Sequence, residues 1–253
     1  MELKPQPAIC PRPTTAPAPR QQPDGPPPDQ DGKFTIDDII CPFQRVAFNE
    51  GALQVDDQGN ATNLPEVLRK FAGASHVMTG IANHAAKKLT AGGNWAAFKA
   101  DSYNLQDLAN SHLDHKADSQ ILRGGFNPER LAHALSFSSD GERLTLADLR
   151  AFQQANLAEE PGKHGEIFGA AEFALLVKVF GKTDDEGNRY ISNQDFVRLY
   201  RDNRWPEGWE PPAKGSLNLW STGKSVADYF GTEPSSRGCP FHAGLIAGEK
   251  PKN

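Results

Sequence analysis

Apolar residues recur at helical spacing downstream of residue 60. From Leu64 they follow one another mainly three or four positions apart, which is the spacing of one face of an α-helix. They are Leu64, Val67, Leu68, Phe71, Met78, Ile81, Ala82, Ala85 and Leu89. Asn63 is a residue type that caps helix N-termini, and two glycines follow at 92–93. The pattern predicts one long helix that breaks near Gly73.

Capping signals mark further helices in the second half of the chain. Asn127 and Pro128 supply a cap and a first-turn proline for a short helix that ends at Leu135. The segments 145–148 and 192–195 both have the Ser/Thr-x-x-Asp spacing of a capping box, and helical apolar spacing follows each of them. A helix is therefore predicted after each of these three signals.

The segment from Glu166 to Phe180 is apolar on most sides. Such a segment is typical of a helix buried in the protein interior. The strict alternation of apolar and polar residues that marks half-buried strands is nearly absent. We therefore predict an all-α fold with one helical domain.

Two turns mix carboxylates with glycine, at 138–141 and 184–187. If their glycines stood at the sixth position of a calcium-binding loop, the twelfth position would be Ala147 or Asn193. That position requires a bidentate Glu. We expect turns that connect helices.

The chain divides by composition into a head, a domain and a tail. Half of its 20 prolines lie between Pro5 and Pro28, where Ile9 is the only large apolar residue. Such a segment buries too little to offset the entropy of ordering it. We predict a disordered head over 1–33, a domain over 34–230 and a tail over 231–253.

Charge and cysteine content narrow the class of protein. The net charge is −5 and no Lys/Arg-rich block occurs, which excludes nucleic acid as an expected partner. No run of about 18 apolar residues predicts a membrane span. The N-terminus has no apolar signal-peptide core, so an intracellular location is expected. Cys10, Cys41 and Cys239 are too few and too scattered for a disulfide framework, and none forms a Cys-x-x-Cys metal pair.

Cys41 stands between Ile40 and Pro42 at the start of the predicted domain. An iron-bound thiolate needs apolar surroundings and backbone N–H groups that temper its charge. Pro42 favours a helix whose N-terminus faces the sulfur. The alternative is a buried cysteine that packs as a small apolar residue. Cys239, which also precedes a Pro-Phe pair, is a rival thiolate in the tail.

Two further groups of residues carry candidate chemistry. Within 112–118, Asp114 and Asp118 are four residues apart and share a helix face, which suits a hard cation, and two histidines lie close by. The alternative is a solvated charged surface. Glu172 lies in the apolar segment, where a carboxylate is costly to bury without a partner. The alternative there is an exposed stripe of the helix.

The order of these elements resembles the fungal heme-thiolate peroxidase family, which includes chloroperoxidase and the unspecific peroxygenases. The family begins with Pro-Cys-Pro and a helix ending in Asn-His-Gly, and residues 41–51 have the same length and a similar ending. The family's Glu-His-Asp-x-Ser segment corresponds to 114–118. Its Glu-bearing helix corresponds to Glu172 through Gly181, and its closing Glu-Arg-Leu-Pro…Gly-Trp segment to 203–209. The resemblance makes Trp209 a packing residue.

The resemblance implies a helical domain enclosing heme b, with Cys41 as the axial ligand. A thiolate ligand favours cleavage of the O–O bond. Glu172 would pass a proton between the oxygens of hydrogen peroxide, and His115 would orient it. The substrate would be a small organic molecule, with oxygenation, halogenation and one-electron oxidation all open. The oligomeric state is open as well.

The family also holds a magnesium or manganese ion beside the heme. By resemblance the ligands would be Asp114, the backbone carbonyl of His115, and Asp118. Lys116 stands where the family has an Asp that fixes the histidine. The alternative function is accordingly a catalytically impaired heme- or metal-binding protein of the same fold. A heme-free metal hydrolase using His112, Asp114 and His115 is a second alternative.

Overall fold

The computed structural model describes residues 34–91, 99–109, 121–122, 124–159 and 165–235. Helices account for 54% and strands for 9% of the described residues, so the chain is mostly helical. The prediction of an all-α fold is wrong in detail, because two small antiparallel sheets are present. The proline-rich head, with Cys10, and the part of the tail that holds Cys239 lie outside the described residues.

The described residues of the N-terminal half form four helices and a two-stranded sheet. After a 3-10 turn at Ile36–Asp38, the helices are α1 (Pro42–Asn49), α2 (Leu64–Phe71), α3 (His76–Thr90) and α4 (Leu105–Ala109). Strand β1 (Asn60–Ala61) pairs with β2 (Tyr103–Asn104), so that Ala61 faces Tyr103. The sheet thereby joins the segment before α2 to the segment before α4.

The predicted break in the long helix is confirmed at Gly73, which separates α2 from α3. Gly73 has φ +63°, and a Cβ there would lie 2.7 Å from the carbonyl oxygen of Ala213. A residue with a side chain would thus be strained by both its backbone angle and its neighbours. Asn63 is the N-cap residue of α2, as predicted, but its side chain makes no cap hydrogen bond. Its amide instead bridges Ala52 and Gln54 of the preceding loop.

In the C-terminal half, the residues that the structure describes form five helices and a three-stranded sheet. The helices are α5 (Pro128–Leu135), α6 (Leu146–Glu159), α7 (Gly165–Phe180), α8 (Asn193–Tyr200) and α9 (Leu219–Gly231). The strands are β3 (Arg143–Thr145), β4 (Lys182–Thr183) and β5 (Arg189–Ser192), in the order β3-β5-β4. Leu144 faces Ile191 across β3 and β5.

The turn at 138–141 leads from α5 into β3, and the turn at 184–187 joins β4 to β5, so their prediction as helix–helix connections is wrong. Asp140 accepts the backbone N–H groups of Glu142 and Arg143, and Asp184 accepts those of Glu186 and Asn188. The Arg143 side chain contacts both aspartates, at 2.7 and 3.2 Å. These carboxylates serve as turn formers.

The predicted capping signals are confirmed in this half. Asn127 accepts the N–H groups of residues 129 and 130 at the start of α5. Thr145 and Asp148 form a reciprocal box, in which each side chain binds the other residue's backbone N–H. At the start of α8, Ser192 accepts the N–H of Asp195 at 3.0 Å. Local sequence therefore decides where these helices begin.

Two clusters of apolar side chains form the core and meet at α1. One contains Ala47 and Tyr103, and the other, larger one contains Val46 and the buried face of α7. Phe43 and Trp205 pack against both clusters. The start of α1 thus lies where the two halves of the core join.

The closing segment packs onto this junction. Trp205 stacks on Phe71 with ring centroids 5.3 Å apart and on Trp209 with centroids 5.0 Å apart. The indole N–H of Trp209 donates to the carbonyl of Val179 at 2.9 Å. Trp209 is therefore a packing residue, as predicted. None of the described helices is both long and apolar enough to cross a membrane.

Candidate functional site

Cys41 is the N-cap residue of α1 at the junction of the two core clusters. Its backbone is extended, and Pro42 follows in the first helical position, as the sequence predicted. The flanking Ile39 and Ile40 are buried, and the cysteine itself is partly buried. The side chain makes no ordinary capping hydrogen bond. It therefore stands as a thiol at a helix N-terminus in apolar surroundings.

Burial is the main influence on the Cys41 thiol, and it raises the pKa to about 11. The negative charge of Glu172 raises the pKa further, whereas the backbone N–H groups of Gln44 and Phe43 lower it. The protein alone thus keeps the sulfur protonated at neutral pH. A bound cation would reverse this balance, because a coordinating thiol loses its proton.

Glu172 lies on α7 and interacts electrostatically with Cys41. The residue is half-buried, on the same stripe of the helix as the half-buried Leu175 and Lys178. The Tyr200 hydroxyl, at the end of α8, donates to its Oε1 at 3.5 Å, which is the long limit of a hydrogen bond. Glu172 therefore has neither of the two expected environments, since it is neither enclosed by the core nor fully exposed.

Tyr103 is a member of this site that the sequence analysis missed. It is 2% exposed, and its hydroxyl has no hydrogen-bond partner among the described residues. Burial raises its pKa, and the charge of Cys41 raises it further, so the two side chains lie within electrostatic range. A buried hydroxyl without a partner is costly. No element was predicted around residue 103, so the sequence offered no signal for it.

Arg45 is a second residue that the sequence analysis missed. It lies one helical turn after Cys41, is 2% exposed, and forms an ion pair with Asp37 through Nη2. Nε and Nη1 have no partner. Residues 39–48 are mostly apolar, and Arg45 lies among them. This was the signal that the arginine could be buried.

The predicted cation segment, 112–118, lies outside the described residues. The structure therefore does not place Asp114, His115 or Asp118, and the roles expected of them stay predictions. Within the described ranges, no group of three or more His, Cys, Asp and Glu side chains is arranged to hold a metal ion. Cys41 and Glu172 lie within electrostatic range of each other. His115, the proposed orienter of Glu172, lies outside the described residues.

The donor set fits a thiolate-ligated heme on two observations. The Cys41 sulfur is an unpaired soft ligand in an apolar environment, which suits iron better than Mg²⁺ or Ca²⁺. The buried hydroxyl of Tyr103 has a donor to offer to a bound group. No family model and no curated protein matches this chain. The resemblance consequently rests on the ordered motifs and on this local geometry.

Proposed function

We propose that this protein is a heme-thiolate peroxidase or peroxygenase, which uses hydrogen peroxide to oxidise a small organic substrate. The observation that carries the proposal is the position of Cys41, at a helix N-terminus between buried apolar residues and within electrostatic range of Glu172 on α7. A soft ligand with a carboxylate near it is what such chemistry requires.

Cys41 is the residue that would hold the iron. As a thiolate it donates electron density to the metal, and the N–H groups of Phe43 and Gln44 temper its charge. When bound, heme b supplies the iron at which peroxide is cleaved and the oxidising power that the substrate receives. Ile39 and Ile40, both buried, limit the access of water to the sulfur.

Glu172 is the proposed acid-base residue. Its carboxylate accepts a proton from one oxygen of hydrogen peroxide and returns it to the oxygen that leaves as water. The hydroxyl of Tyr200, which is buried at the end of α8, contacts this carboxylate at the long limit of a hydrogen bond. His115 remains the proposed orienter, and Asp114 and Asp118 the proposed ligands of a magnesium or manganese ion.

The test is the absorption spectrum of the full chain expressed with a heme supply, before and after reduction under carbon monoxide. A strongly red-shifted Soret band is expected in the wild type and in Cys239→Ala, and its loss is expected in Cys41→Ala. A colourless protein, or a band that survives in Cys41→Ala, overturns the proposal. A Cys41-dependent band without peroxide-driven oxidation supports the alternative of a catalytically impaired heme-binding protein.

A further inference from the structure

Arg45 has buried guanidinium N–H groups that donate no hydrogen bond to the described residues. Of its three guanidinium nitrogens, only Nη2 has a partner, the carboxylate of Asp37. The side chain is almost fully buried, and a buried charged donor without a partner is costly. Burial lowers the pKa of Arg45 and the charge of Asp37 partly restores it. Such a residue is expected where a ligand supplies the missing acceptors.

Arg45 belongs to the Cys41 end of α1. Its backbone N–H donates to the carbonyl of Cys41 at 2.9 Å, which closes the first turn of the helix. Helical side chains tilt toward the N-terminus, and residues four apart share a face. The position of Asp37, which precedes the helix and binds the guanidinium, agrees with that direction. The spare donors therefore lie at the end of α1 that carries the sulfur.

The charges favour an anionic ligand. Asp37 is the only acidic partner of Arg45 among the described residues, and 55% of its side chain is exposed. Water therefore screens the carboxylate, while the guanidinium stays enclosed. Arginine recognises carboxylates and phosphates through charge-assisted hydrogen bonds. Of these, a carboxylate is what a heme would bring to the site, since heme b carries two.

We infer that Arg45 binds a carboxylate of the heme whose iron Cys41 holds, through Nε, Nη1 or both. This inference rests on the proposed function. The first turn of α1 would then hold the heme at two points, with the Cys41 thiolate at the iron and the Arg45 guanidinium at a carboxylate. Arg45 is then a binding residue for the cofactor, and Asp37 keeps the guanidinium oriented from the solvent side.

The test compares hemin with hemin dimethyl ester, in which both carboxylates are blocked. Apo-protein of the full chain is titrated with each, and the dissociation constants are read from the Soret band. A charge-assisted hydrogen bond predicts that the wild type prefers hemin by about 10- to 100-fold. In Arg45→Gln this preference should fall toward one, and Arg45→Lys should restore part of it. Circular dichroism checks that each variant is folded.

Arg189→Gln is the matched control. Arg189 is also partly buried, but its guanidinium donates to the carbonyls of Val177 and Lys178 at 3.0 Å. Its loss should leave the preference for hemin unchanged. Asp37 is half-exposed, so Arg45→Gln does not strand a buried charge.

Several results would overturn the inference. The first is equal binding of both compounds by the wild type, which does not depend on any variant folding. The second is an Arg45→Gln protein that keeps the wild-type preference. The third is a Soret band of the ester complex that excess benzoate perturbs in the wild type and not in Arg45→Gln, which would assign Arg45 to a substrate carboxylate. If hemin forms no Cys41-dependent complex, the proposed function fails first and the inference falls with it.

Discussion

The two acid-rich turns and the first turn of α1 use polar side chains in opposite ways. In the turns, Asp140 and Asp184 accept backbone N–H groups and share the guanidinium of Arg143. At the start of α1, Arg45 and Tyr103 bury donors that have no acceptor. Unpaired buried polar atoms are costly, and those of Arg45 lie one helical turn from Cys41, where a bound ligand could supply acceptors. At the two turns, by contrast, the carboxylates serve the structure.

The largest expected effect is on turnover. Glu172→Gln removes the proton acceptor and should lower the rate of peroxide-driven oxidation by about 10²- to 10⁴-fold. The same change removes a negative charge near Cys41 and should lower the pKa of its thiol. Steady-state rates and alkylation of Cys41 in the apo-protein measure the two effects. Glu66→Gln, at an exposed position of α2, is the control. Unchanged turnover would exclude Glu172 as the acid-base residue.

The next effect concerns pH and the stability of the apo-protein. The pKa of Cys41 is about 11 in the fold, against 9.0 for an unperturbed thiol. Below pH 9 the thiol is protonated in both the folded and the unfolded protein, so the stability that it contributes is fully present. Between pH 9 and 11 the unfolded state ionises first, so that contribution is lost, by about 3 kcal/mol.

Urea unfolding at pH 8 and pH 11 measures this loss as a difference between the wild type and Cys41→Ala. Other groups that titrate in this range cancel in that difference. An equal loss in the two proteins would show that Cys41 is not held as a buried thiol.

A smaller effect is expected at the capping box that begins α6. Thr145→Ala removes one half of the reciprocal capping box at the start of α6. The free energy of unfolding should fall by about 1 kcal/mol, as measured by urea unfolding. Thr145→Ser keeps the hydroxyl and should stay close to the wild type. If Thr145→Ala leaves the free energy of unfolding unchanged, tertiary contacts alone determine where the helix begins.

The smallest expected effect is an increase in stability rather than a loss. Tyr103→Phe removes a buried hydroxyl that has no partner, so the apo-protein should gain stability, by up to about 1 kcal/mol. Tyr200→Phe, which removes the contact with Glu172, serves as the comparison and should not gain. Thermal unfolding of the apo-proteins measures both. A clear loss of stability in Tyr103→Phe would show that the hydroxyl has a structural role.

Helix starts could be predicted from the sequence because their signals are local. Asn127 and the box at 145–148 cap helices in the structure, since each bonds to N–H groups two or three residues away. The strands could not be predicted in the same way. Strand β5 is four residues long and lies between β3 and β4, and its pairing with β3 joins residues more than 40 positions apart along the chain.

The residues of the candidate site differ in the same way, because some have a local signal in the sequence and others do not. Cys41 before Pro42 was recognisable because a proline in the first helical turn is a local signal, and Glu172 because it interrupts an apolar segment. Tyr103 and Arg45 were missed. A tyrosine or an arginine does not reveal from the sequence whether its polar atoms find partners.

By itself, the sequence determined the helical character of the chain, the break at Gly73 and the cysteine at the start of a helix. These depend on backbone preference and on hydrogen bonds that close within one turn. Only the tertiary structure decided that Glu172 acts on the Cys41 thiol and that Tyr103 and Arg45 keep unpaired donors. Burial and charge coupling arise between segments far apart in the chain, and they exist only once the two core clusters have packed against α1.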